Sequence, residues 1–331
     1  MSNDTLYAIK DLSVEYATRQ GNVRAVDAVD LDIRRGEILG LVGESGCGKS
    51  TLGKALMRMP PGKVVSGELL FDGTDLTKIS DKQLRQIRGA RIGMVFQDPM
   101  TSLNPIQKIV DHLTETIRTH QPKRSEADAR LRAEEIVDRL GIRAERIDEY
   151  PHQFSGGMRQ RIMISLALAL RGDLVIADEP TTALDVIVEA QFLDLLRDLK
   201  NELGVTIVLI THNIGVVAEI ADRVAVMYAG KLVELASVHD LFDSTKHPYS
   251  KGLLRSVPNI DLDGTDLYKM SGAPPNLLAL PSGCSFHPRC PEVMDICSKV
   301  EPPFAPVEAD GNHATACWLY QEQSVSVELR S

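Results

Sequence analysis

The chain has 331 residues, of which 43% are hydrophobic and 25% are charged, and its formal net charge is −9. This composition is that of an ordinary globular protein, and the length suits one large domain followed by a smaller one. The negative charge does not suggest a nucleic-acid binder, which usually carries a basic face, although local patches can differ from the net charge. The sequence has no apolar run long enough for a membrane span and no signal-peptide pattern at its N-terminus. We therefore expect a cytoplasmic protein that reaches a membrane only through partners.

The first elements predicted along the chain are antiparallel strands. Apolar and polar residues alternate between Leu6 and Ile33, a period that is typical of half-buried strands. Tyr16 lies in this stretch. Strand periodicity alone favours a half-buried structural tyrosine over a ring that stacks on a nucleotide base.

A glycine-rich segment follows, between an apolar strand and a predicted helix. It reads G-E-S-G-C-G-K-S-T over residues 43–51. Glycine permits positive φ values and a close approach of the backbone to phosphates, while the N-terminus of the following helix favours an anion. Lys49 can reach the β- and γ-phosphates, and the Ser50 hydroxyl can bind Mg²⁺. The segment predicts a nucleoside triphosphate site formed by Gly43, Ser45, Gly46, Cys47, Gly48, Lys49, Ser50 and Thr51.

The next apolar strand, at residues 92–96, ends at Gln97. The carboxyl end of a strand is where ligands bind in open α/β sheets. Residues 106–150 then have helical spacing and charged faces, with a break at residues 121–125. This block predicts an inserted helical subdomain at about residues 100–170.

The subdomain ends in a helix that begins at Ser155-Gly156-Gly157. Ser155 is the expected N-cap, and the two glycines leave backbone N–H groups bare for an anion. Alone, this stretch is more typical of an ordinary capped helix.

Two further apolar strands end in polar side chains. The strand at residues 174–177 ends at Asp178 and Glu179, which are placed for a second Mg²⁺ contact and for a general base. The strand at residues 205–210 leads to His212. A histidine there can hydrogen-bond a γ-phosphate, although a lone histidine is more often structural.

Cysteines are concentrated at the C-terminal end of the chain. Proline and glycine become more frequent there, and we place a domain boundary near residue 257. Four cysteines lie in the loop-rich tail: Cys284, Cys290, Cys297 and Cys317. In a reducing cytoplasm such a group is more typical of metal ligands than of disulfides. Four thiolates suit either zinc or an iron–sulfur cluster, and His287 or His313 could complete a zinc site. Ligand softness alone favours zinc over an iron–sulfur cluster, and a tail without metal is the third alternative.

The order and spacing of these motifs, from about residue 6 to residue 255, resembles the nucleotide-binding domain of ABC ATPases. The resemblance implies an α/β P-loop NTPase fold with a mixed-sheet core, an antiparallel β subdomain and an inserted helical subdomain. For the nucleotide, it identifies residues 43–51 as the Walker A loop, Tyr16 as the aromatic residue that stacks on the base and Asp178 as the Walker B acid. For hydrolysis, it identifies Gln97 as the Q-loop glutamine, Glu179 as the catalytic base and His212 as the switch histidine. For the dimer, it identifies Ser155, Gly156 and Gly157 as the signature and Ala183-Leu184-Asp185 as the D-loop. The signature differs from the commonest Leu-Ser-Gly-Gly-Gln form at Phe154 and Met158.

Nearly the whole chain is also similar to the ATP-binding subunits of dipeptide and oligopeptide permeases. This similarity is carried by the sequence of the phosphate loop, by residues 97–105, by His247-Pro248-Tyr249 and by the cysteine-bearing tail. It implies an ABC domain at residues 1–257 and a small C-terminal domain at residues 258–331. In that family the tail cysteines, here Cys284, Cys290, Cys297 and Cys317, bind a [4Fe-4S] cluster, with Zn²⁺ as the alternative.

The resemblance also implies an activity and a set of partners. Ser50, Gln97 and Asp178 would hold the Mg²⁺ of bound ATP, and each ATP would lie between the loop of one subunit and the signature of a second ABC ATPase, most often in a heterodimer. Two integral membrane permease subunits and an extracytoplasmic substrate-binding protein complete such an importer. The chain would then lie at the cytoplasmic face of the cell membrane, without direct contact to nucleic acid.

The expected function is therefore ATP hydrolysis that powers the uptake of dipeptides or oligopeptides. An importer of the same type with another cargo, such as nickel, glutathione or an oligosaccharide, is the first alternative. A soluble ABC ATPase that acts on nucleic acid or ribosomes is the second. Proteins of that class usually carry two nucleotide-binding domains or a long coiled-coil insertion, and this sequence has neither feature.

Overall fold

The computed structural model describes residues 4–97, 102–182, 184–256, 270–307 and 311–321. The chain divides into two compact units. The first comprises Met1–Tyr7, Asp32–Ile38 and Leu70–Ile210, and the second comprises Ala8–Leu31, Leu39–Leu69 and Thr211–Ser331. The domain boundary that the sequence predicted near residue 257 lies outside the described residues.

The described residues form strands, α-helices and short 3-10 helices. The strands are β1 (Thr5–Thr18), β2 (Gly21–Arg34), β3 (Ile38–Val42), β4 (Lys63–Phe71), β5 (Thr74–Asp75), β6 (Ile92–Val95), β7 (Leu174–Asp178), β8 (Thr206–Thr211), β9 (Arg223–Tyr228), β10 (Lys231–Ser237), β11 (Ala305–Pro306) and β12 (Ala314–Thr315). The helices are α1 (Lys49–Leu56), α2 (Asp81–Ile87), α3 (Ile109–His120), α4 (Glu126–Arg139), α5 (Gly156–Leu168), α6 (Val186–Leu203), α7 (Ile214–Ile220), α8 (Val238–Asp243) and α9 (Pro248–Arg255). Short 3-10 helices lie at Ala144–Asp148, Pro151–Gln153, His287–Arg289, Asp295–Ser298 and Trp318–Tyr320.

The first unit contains three parallel strands. β7 pairs with β6 on one side and with β8 on the other, so that Ile176 lies opposite both Met94 and Val208. Every residue of β6, β7 and β8 is buried. Their continuous apolar runs are the pattern of strands covered on both faces, as the sequence predicted. In such a ladder the carboxyl ends of the strands meet at one edge.

The helical part of the first unit follows the capping and packing signals of its sequence. α3 ends at His120, immediately before the break at residues 121–125, and the Ser125 hydroxyl caps α4 by accepting the Asp128 N–H at 3.1 Å. α5 packs directly on β6, because a Cβ at Gly93 would come within 2.7 Å of the Ala167 carbonyl oxygen.

The second unit contains a sheet that begins at the strand before the phosphate loop and continues into the C-terminal tail. β3 pairs in parallel with β9, and β9 forms an antiparallel hairpin with β10. β10 then pairs with β12, placing Glu234 opposite Thr315, and β12 pairs with β11. The parts of β1, β2 and β4 that belong to this unit lie in a separate sheet, with β1 between the other two. This is the antiparallel sheet that the alternation of the N-terminal region predicted.

None of the described helices combines the length and the apolar character that a membrane span requires.

Candidate active site

The phosphate loop of the second unit takes a conformation that depends on its glycines. Gly43 and Gly48 have φ values of 153° and 109°. A Cβ at Gly43 would lie 2.3 Å from the Met227 carbonyl oxygen, and one at Gly48 would lie 2.2 Å from the Ala25 carbonyl oxygen. Neither position therefore has room for a side chain. Gly46 has a φ of 80° and is exposed, so its requirement is conformational.

Lys49 is the charged group of the loop. Its side chain is buried, and Nζ donates to the carbonyl oxygens of Gly43 at 2.7 Å and of Glu44 at 3.0 Å. The ammonium group is thus held against the loop backbone. Gly48 has no side chain with which to cap α1, and the N-terminus of a helix favours an anion.

The other loop residues differ in exposure. Ser45 is exposed, and Ser50 and Thr51 are half-buried in the first turn of α1. Cys47 is buried, and that burial raises the pKa of its thiol, which is therefore neutral at physiological pH. The Cys47 carbonyl accepts the Gly230 N–H at 2.9 Å, which ties the loop to the β9–β10 hairpin.

Tyr16 is joined to the same loop. Its hydroxyl and the Thr51 Oγ1 form a hydrogen bond of 2.9 Å, while the side chain remains half-buried. The structure therefore places the aromatic side chain beside α1, consistent with both the structural and the base-stacking interpretation.

The polar groups at the carboxyl ends of β6 and β7 belong to the first unit. Asp178 is buried at the end of β7. Glu179 follows it with a φ of 48°, which is uncommon for a residue with a side chain. Its Oε2 accepts hydrogen bonds from Gln97 Nε2 at 3.0 Å and from Thr182 Oγ1 at 3.2 Å. The sequence predicted Gln97 and Glu179 as separate functional residues, and the structure brings them into contact.

The signature and the D-loop residue lie at two helix N-termini in the first unit. Ser155 caps α5 by accepting the Met158 N–H at 3.4 Å, and Asp185 caps α6 by accepting the Val188 N–H at 2.9 Å. The two helix starts are packed together, since a Cβ at Gly157 would lie 2.4 Å from Val188 Cγ1. Ser155 and Gly156 are exposed.

Two predicted motifs, the Q-loop segment and the D-loop, are described only in part. Residues 98–101 of the Q-loop segment and Ala183 of the D-loop lie outside the described residues. His212 is exposed, directly after β8 and before Asn213, which caps α7.

The four tail cysteines lie around one small cavity of the second unit. Cys284, Cys290, Cys297 and Cys317 all line this space of about 20 Å³, together with Phe286, Met294 and Trp318. Burial raises the pKa of Cys284 to about 11 and, with its cysteine neighbours, that of Cys317 to about 12. Within the described part of the chain, however, no group of three or more histidine, cysteine, aspartate or glutamate side chains is arranged to hold a metal ion. The four thiols therefore line the same cavity, but in the described residues they are not arranged as a metal site.

One contact of the loop was not predicted. Arg289, next to Cys290, donates two hydrogen bonds to the Glu44 carboxylate, at 2.7 and 2.8 Å. The two residues are 245 positions apart in sequence, and no local pattern connects them. The His247-Pro248-Tyr249 motif was a signal for part of this region, since the Tyr249 hydroxyl accepts the Glu44 N–H at 2.8 Å.

Comparisons with known proteins agree with this architecture. The ABC transporter family matches residues 26–182, and the family described as the oligopeptide/dipeptide transporter C-terminal region matches residues 233–297. The dipeptide transport ATP-binding protein DppD of Bacillus subtilis is 46% identical, over 97% of this chain and 96% of its own length. The oligopeptide transport ATP-binding protein OppD of the same organism is 44% identical, over 98% of this chain and 91% of its own. The chain belongs to this family of ABC transporter ATP-binding subunits.

A solved structure supports the fold of this ATP-binding subunit. The ATP-binding cassette MJ0796, in a dimeric post-hydrolysis state with ADP and phosphate, has a TM-score of 0.64 and 28% identity, covering 70% of this chain and 98% of that one. The predicted fold class is confirmed. The subunit is an ATPase, as the sequence predicted, and ATP with Mg²⁺ fits that activity.

Proposed function

We propose that this ATPase powers the import of dipeptides or oligopeptides across the cytoplasmic membrane. The observation that supports this cargo class is the extent of the similarity to DppD, which covers 97% of the chain and so includes the tail. The domains of this proposal are an ABC domain at residues 1–257, with a helical subdomain at about residues 100–170, and a C-terminal domain at residues 258–331.

For the nucleotide, we assign phosphate binding to the loop amides and Lys49. The buried ammonium and the uncapped start of α1 support this role. Tyr16 would stack on the base, a role consistent with its anchoring to Thr51. Ser50, Gln97 and Asp178 would hold Mg²⁺, and His212 would contact the γ-phosphate.

Glu179 would act on the attacking water as the general base. Its carboxylate accepts a hydrogen bond from the Gln97 amide, and an amide N–H donated to a carboxylate fixes the orientation of both groups. Gln97 would then couple movements of the helical subdomain to the position of the Glu179 carboxylate. Positioning and charge stabilisation provide most of the rate in phosphoryl transfer, so this orientation matters for hydrolysis.

The working form we propose is a heterodimer with a second ABC ATPase. The chain has one phosphate loop and one signature, and Ser155 and Gly156 are exposed at the start of α5. Beside them, Val186 and Ile187 at the start of α6 are 82% and 71% exposed. Adjacent large apolar side chains at such exposure favour a protein interface. Ser155 and Gly157 would close the partner's nucleotide site, with Asp185 beside them.

Two integral membrane permease subunits and an extracytoplasmic substrate-binding protein complete the proposed importer, which places this chain at the cytoplasmic face of the cell membrane. The direct test is an oxygen-free purification from native membranes, with identification of every co-purifying protein. We expect the two permeases, a second ATPase and a binding protein that carries a peptide. A binding protein that carries nickel, glutathione or an oligosaccharide would show that the cargo is not a peptide. Recovery with ribosomes or nucleic acid in the soluble fraction would overturn the transport function.

For the tail, we propose that Cys284, Cys290, Cys297 and Cys317 bind a [4Fe-4S] cluster. Four thiol donors with an apolar shell of Phe286, Met294 and Trp318 suit such a cluster. Because the raised pKa values keep the Cys284 and Cys317 thiols protonated at neutral pH, loading would release protons from them. The cavity of about 20 Å³ would have to widen to admit four irons, whereas a single Zn²⁺ needs less space. Iron, acid-labile sulfide and zinc analysis of protein purified without oxygen separates the two: iron with equal sulfide supports the cluster, and zinc without sulfide overturns it.

A further inference from the structure

The C-terminal tail is connected to the phosphate loop through Glu44, the second residue of the loop. The Glu44 N–H donates to the Tyr249 hydroxyl at 2.8 Å. Its carboxylate accepts from Arg289 Nη1 at 2.7 Å and from Nη2 at 2.8 Å, a bidentate pair. Paired parallel hydrogen bonds of this kind fix geometry as well as adding energy. Both ends of Glu44 are thus held by residues from the C-terminal part of the chain.

Arg289 is itself held firmly. Nη1 also donates to the Tyr228 hydroxyl at 3.2 Å, and Nε donates to the Ser271 carbonyl oxygen at 3.0 Å. The guanidinium lies 5.9 Å from the centre of the Phe286 ring, and that ring packs edge-on against both Tyr228 and Tyr249. Only 6% of the Arg289 side chain is exposed, compared with 24% for Glu44.

This degree of burial makes the pair more than a surface contact. Exposed ion pairs contribute little because water screens them. In a buried pair, removal of one partner leaves the other charged, desolvated and unpaired, which is costly. The hydrogen bonds that Arg289 donates to the Glu44 carboxylate raise the pKa of Arg289 above its already high value, so the guanidinium stays charged.

Glu44 transmits this constraint to the charged group of the loop. Its carbonyl oxygen accepts from Lys49 Nζ at 3.0 Å and from the Cys47 N–H at 3.3 Å. A shift of the Glu44 backbone would therefore move a contact of the Lys49 ammonium and one turn of the loop. Glu44 also places a negative charge in a loop that receives an anion, and Arg289 neutralises that charge.

We propose that Arg289 is a positioning residue for nucleotide binding, through which the C-terminal tail sets the affinity of the phosphate loop for ATP. The inference rests on the proposed role of the loop in binding ATP. Arg289 is the last residue of the 3-10 helix His287–Arg289 and immediately precedes Cys290, so any rearrangement of the cysteine segment would reach Glu44 through one side chain. The tail is then a regulatory element for ATP binding as well as a structural one.

The test is a titration of the full chain, purified without oxygen, with a fluorescent ATP analogue and Mg²⁺. We expect Arg289→Met to weaken binding about tenfold, within the range for a residue that acts without touching the ligand. In hydrolysis assays KM for ATP should rise by a similar factor while kcat changes little. Arg289→Lys keeps the charge but loses the bidentate geometry, so it should recover only part of the affinity.

Two further variants identify the pair as the cause. Glu44→Gln removes the charge that Arg289 neutralises, so Glu44→Gln with Arg289→Met should bind ATP more tightly than Arg289→Met alone. Lys251→Met is the matched control, because Lys251 also pairs with an acidic side chain of the tail, Glu292, at 3.3 Å. It should leave the Kd unchanged. Equal metal content in all variants shows that the tail remains assembled.

The possible failures are distinguishable. A Kd for Arg289→Met within twofold of wild type, while Lys49→Ala abolishes binding, would overturn the inference and leave the proposed nucleotide site intact. Normal binding by Lys49→Ala would instead remove the proposed role of the loop. If Arg289→Met does not fold, Glu44→Gln tests the same pair from the side of the loop. In the double variant Arg289→Lys with Glu44→Gln, the affinity for ATP should be no lower than in Arg289→Lys alone. An additional, independent loss of ATP affinity in the double variant would contradict the coupling.

Discussion

Gln97 and Glu179 are joined by a hydrogen bond of 3.0 Å between the Gln97 amide nitrogen and the Glu179 carboxylate. The two residues follow neighbouring parallel strands, β6 and β7, and are 82 positions apart. The contact links a residue at the entry of the helical subdomain to the proposed general base. Under the proposed roles of these two residues, hydrolysis and movement of the helical subdomain would share this one polar contact.

The first prediction concerns that base. We expect Glu179→Gln to bind ATP with nearly normal affinity and to hydrolyse it about 10²–10⁴-fold more slowly, the usual contribution of a positioned general base. The amide keeps the size of the side chain and can still hydrogen-bond Gln97 and Thr182. Single-turnover hydrolysis and equilibrium ATP binding measure the two effects separately.

Glu202→Gln is the control for that substitution, because Glu202 is an exposed acid that forms a surface ion pair with Arg139 at 3.0 Å. It should leave hydrolysis unchanged. Turnover of Glu179→Gln close to the wild-type rate would remove Glu179 from the role of base.

The second prediction separates the two interpretations of Tyr16. If the ring stacks on the base, Tyr16→Ala should lose about 1–3 kcal/mol of ATP affinity, the typical value for base–aromatic stacking. Tyr16→Phe retains the ring and loses only the hydrogen bond to Thr51, so it should bind ATP almost as well as the wild type. Equal losses in both variants, in the same nucleotide titration, would favour a structural role of the hydroxyl.

Much of this architecture could be predicted because its signals are local. The run of apolar residues at β7 indicates a buried parallel strand, and the break at residues 121–125 separates α3 from α4 as observed. Gly43 and Gly48 were expected to permit a close backbone approach, and the structure shows carbonyl oxygens where side chains would lie. Each of these features depends on a few consecutive residues.

Other features could not be predicted because they depend on long-range pairing. β12 has only two residues, Ala314 and Thr315, which is too short for any periodicity, yet it joins the tail to β10. The Glu44–Arg289 pair connects a loop to a tail residue 245 positions away. The contact of Gln97 with Glu179 follows only once the register of β6 and β7 is known. Charge and size alone do not select one partner among many arginines or carboxylates.

The third prediction concerns a charge cluster in the first unit. Asp72 accepts hydrogen bonds from Arg91, at 2.8 Å, and from Arg35. The hydrogen bond from Arg91 is the main cause that holds the pKa of Asp72 below its usual value of 3.8. A carboxylate with a lowered folded-state pKa stabilises the fold above its unfolded pKa and loses that effect as the pH falls through the folded value.

Asp72→Asn should therefore lower the free energy of unfolding at pH 7 by no more than about 1 kcal/mol, since exposed pairs are screened and 37% of the Asp72 side chain is exposed. The difference from wild type should shrink as the pH falls below about 4. Urea unfolding at several pH values measures it. Asp194→Asn removes an exposed ion pair with Arg197 and should lower the free energy of unfolding by less. If the destabilisation by Asp72→Asn does not depend on pH, packing and not charge is its cause.

The last prediction tests the signature in trans. Ser155→Arg places a bulky cation at the exposed start of α5, where we propose that the partner's nucleotide binds. In the complex purified from membranes, it should abolish most ATP hydrolysis, because the partner's site cannot close. This chain's own loop should still be labelled normally by a photoreactive ATP analogue, since Ser155 acts on the other site.

Ser125→Arg is the matched control for that variant. Ser125 is also an exposed serine that caps a helix, α4, by accepting a backbone N–H three residues later. Both substitutions remove a cap that contributes about 1 kcal/mol, so a loss of hydrolysis caused only by a weakened helix would occur in both. Loss in Ser155→Arg alone supports the dimeric site, whereas equal losses would show that the serine acts through helix stability within its own subunit.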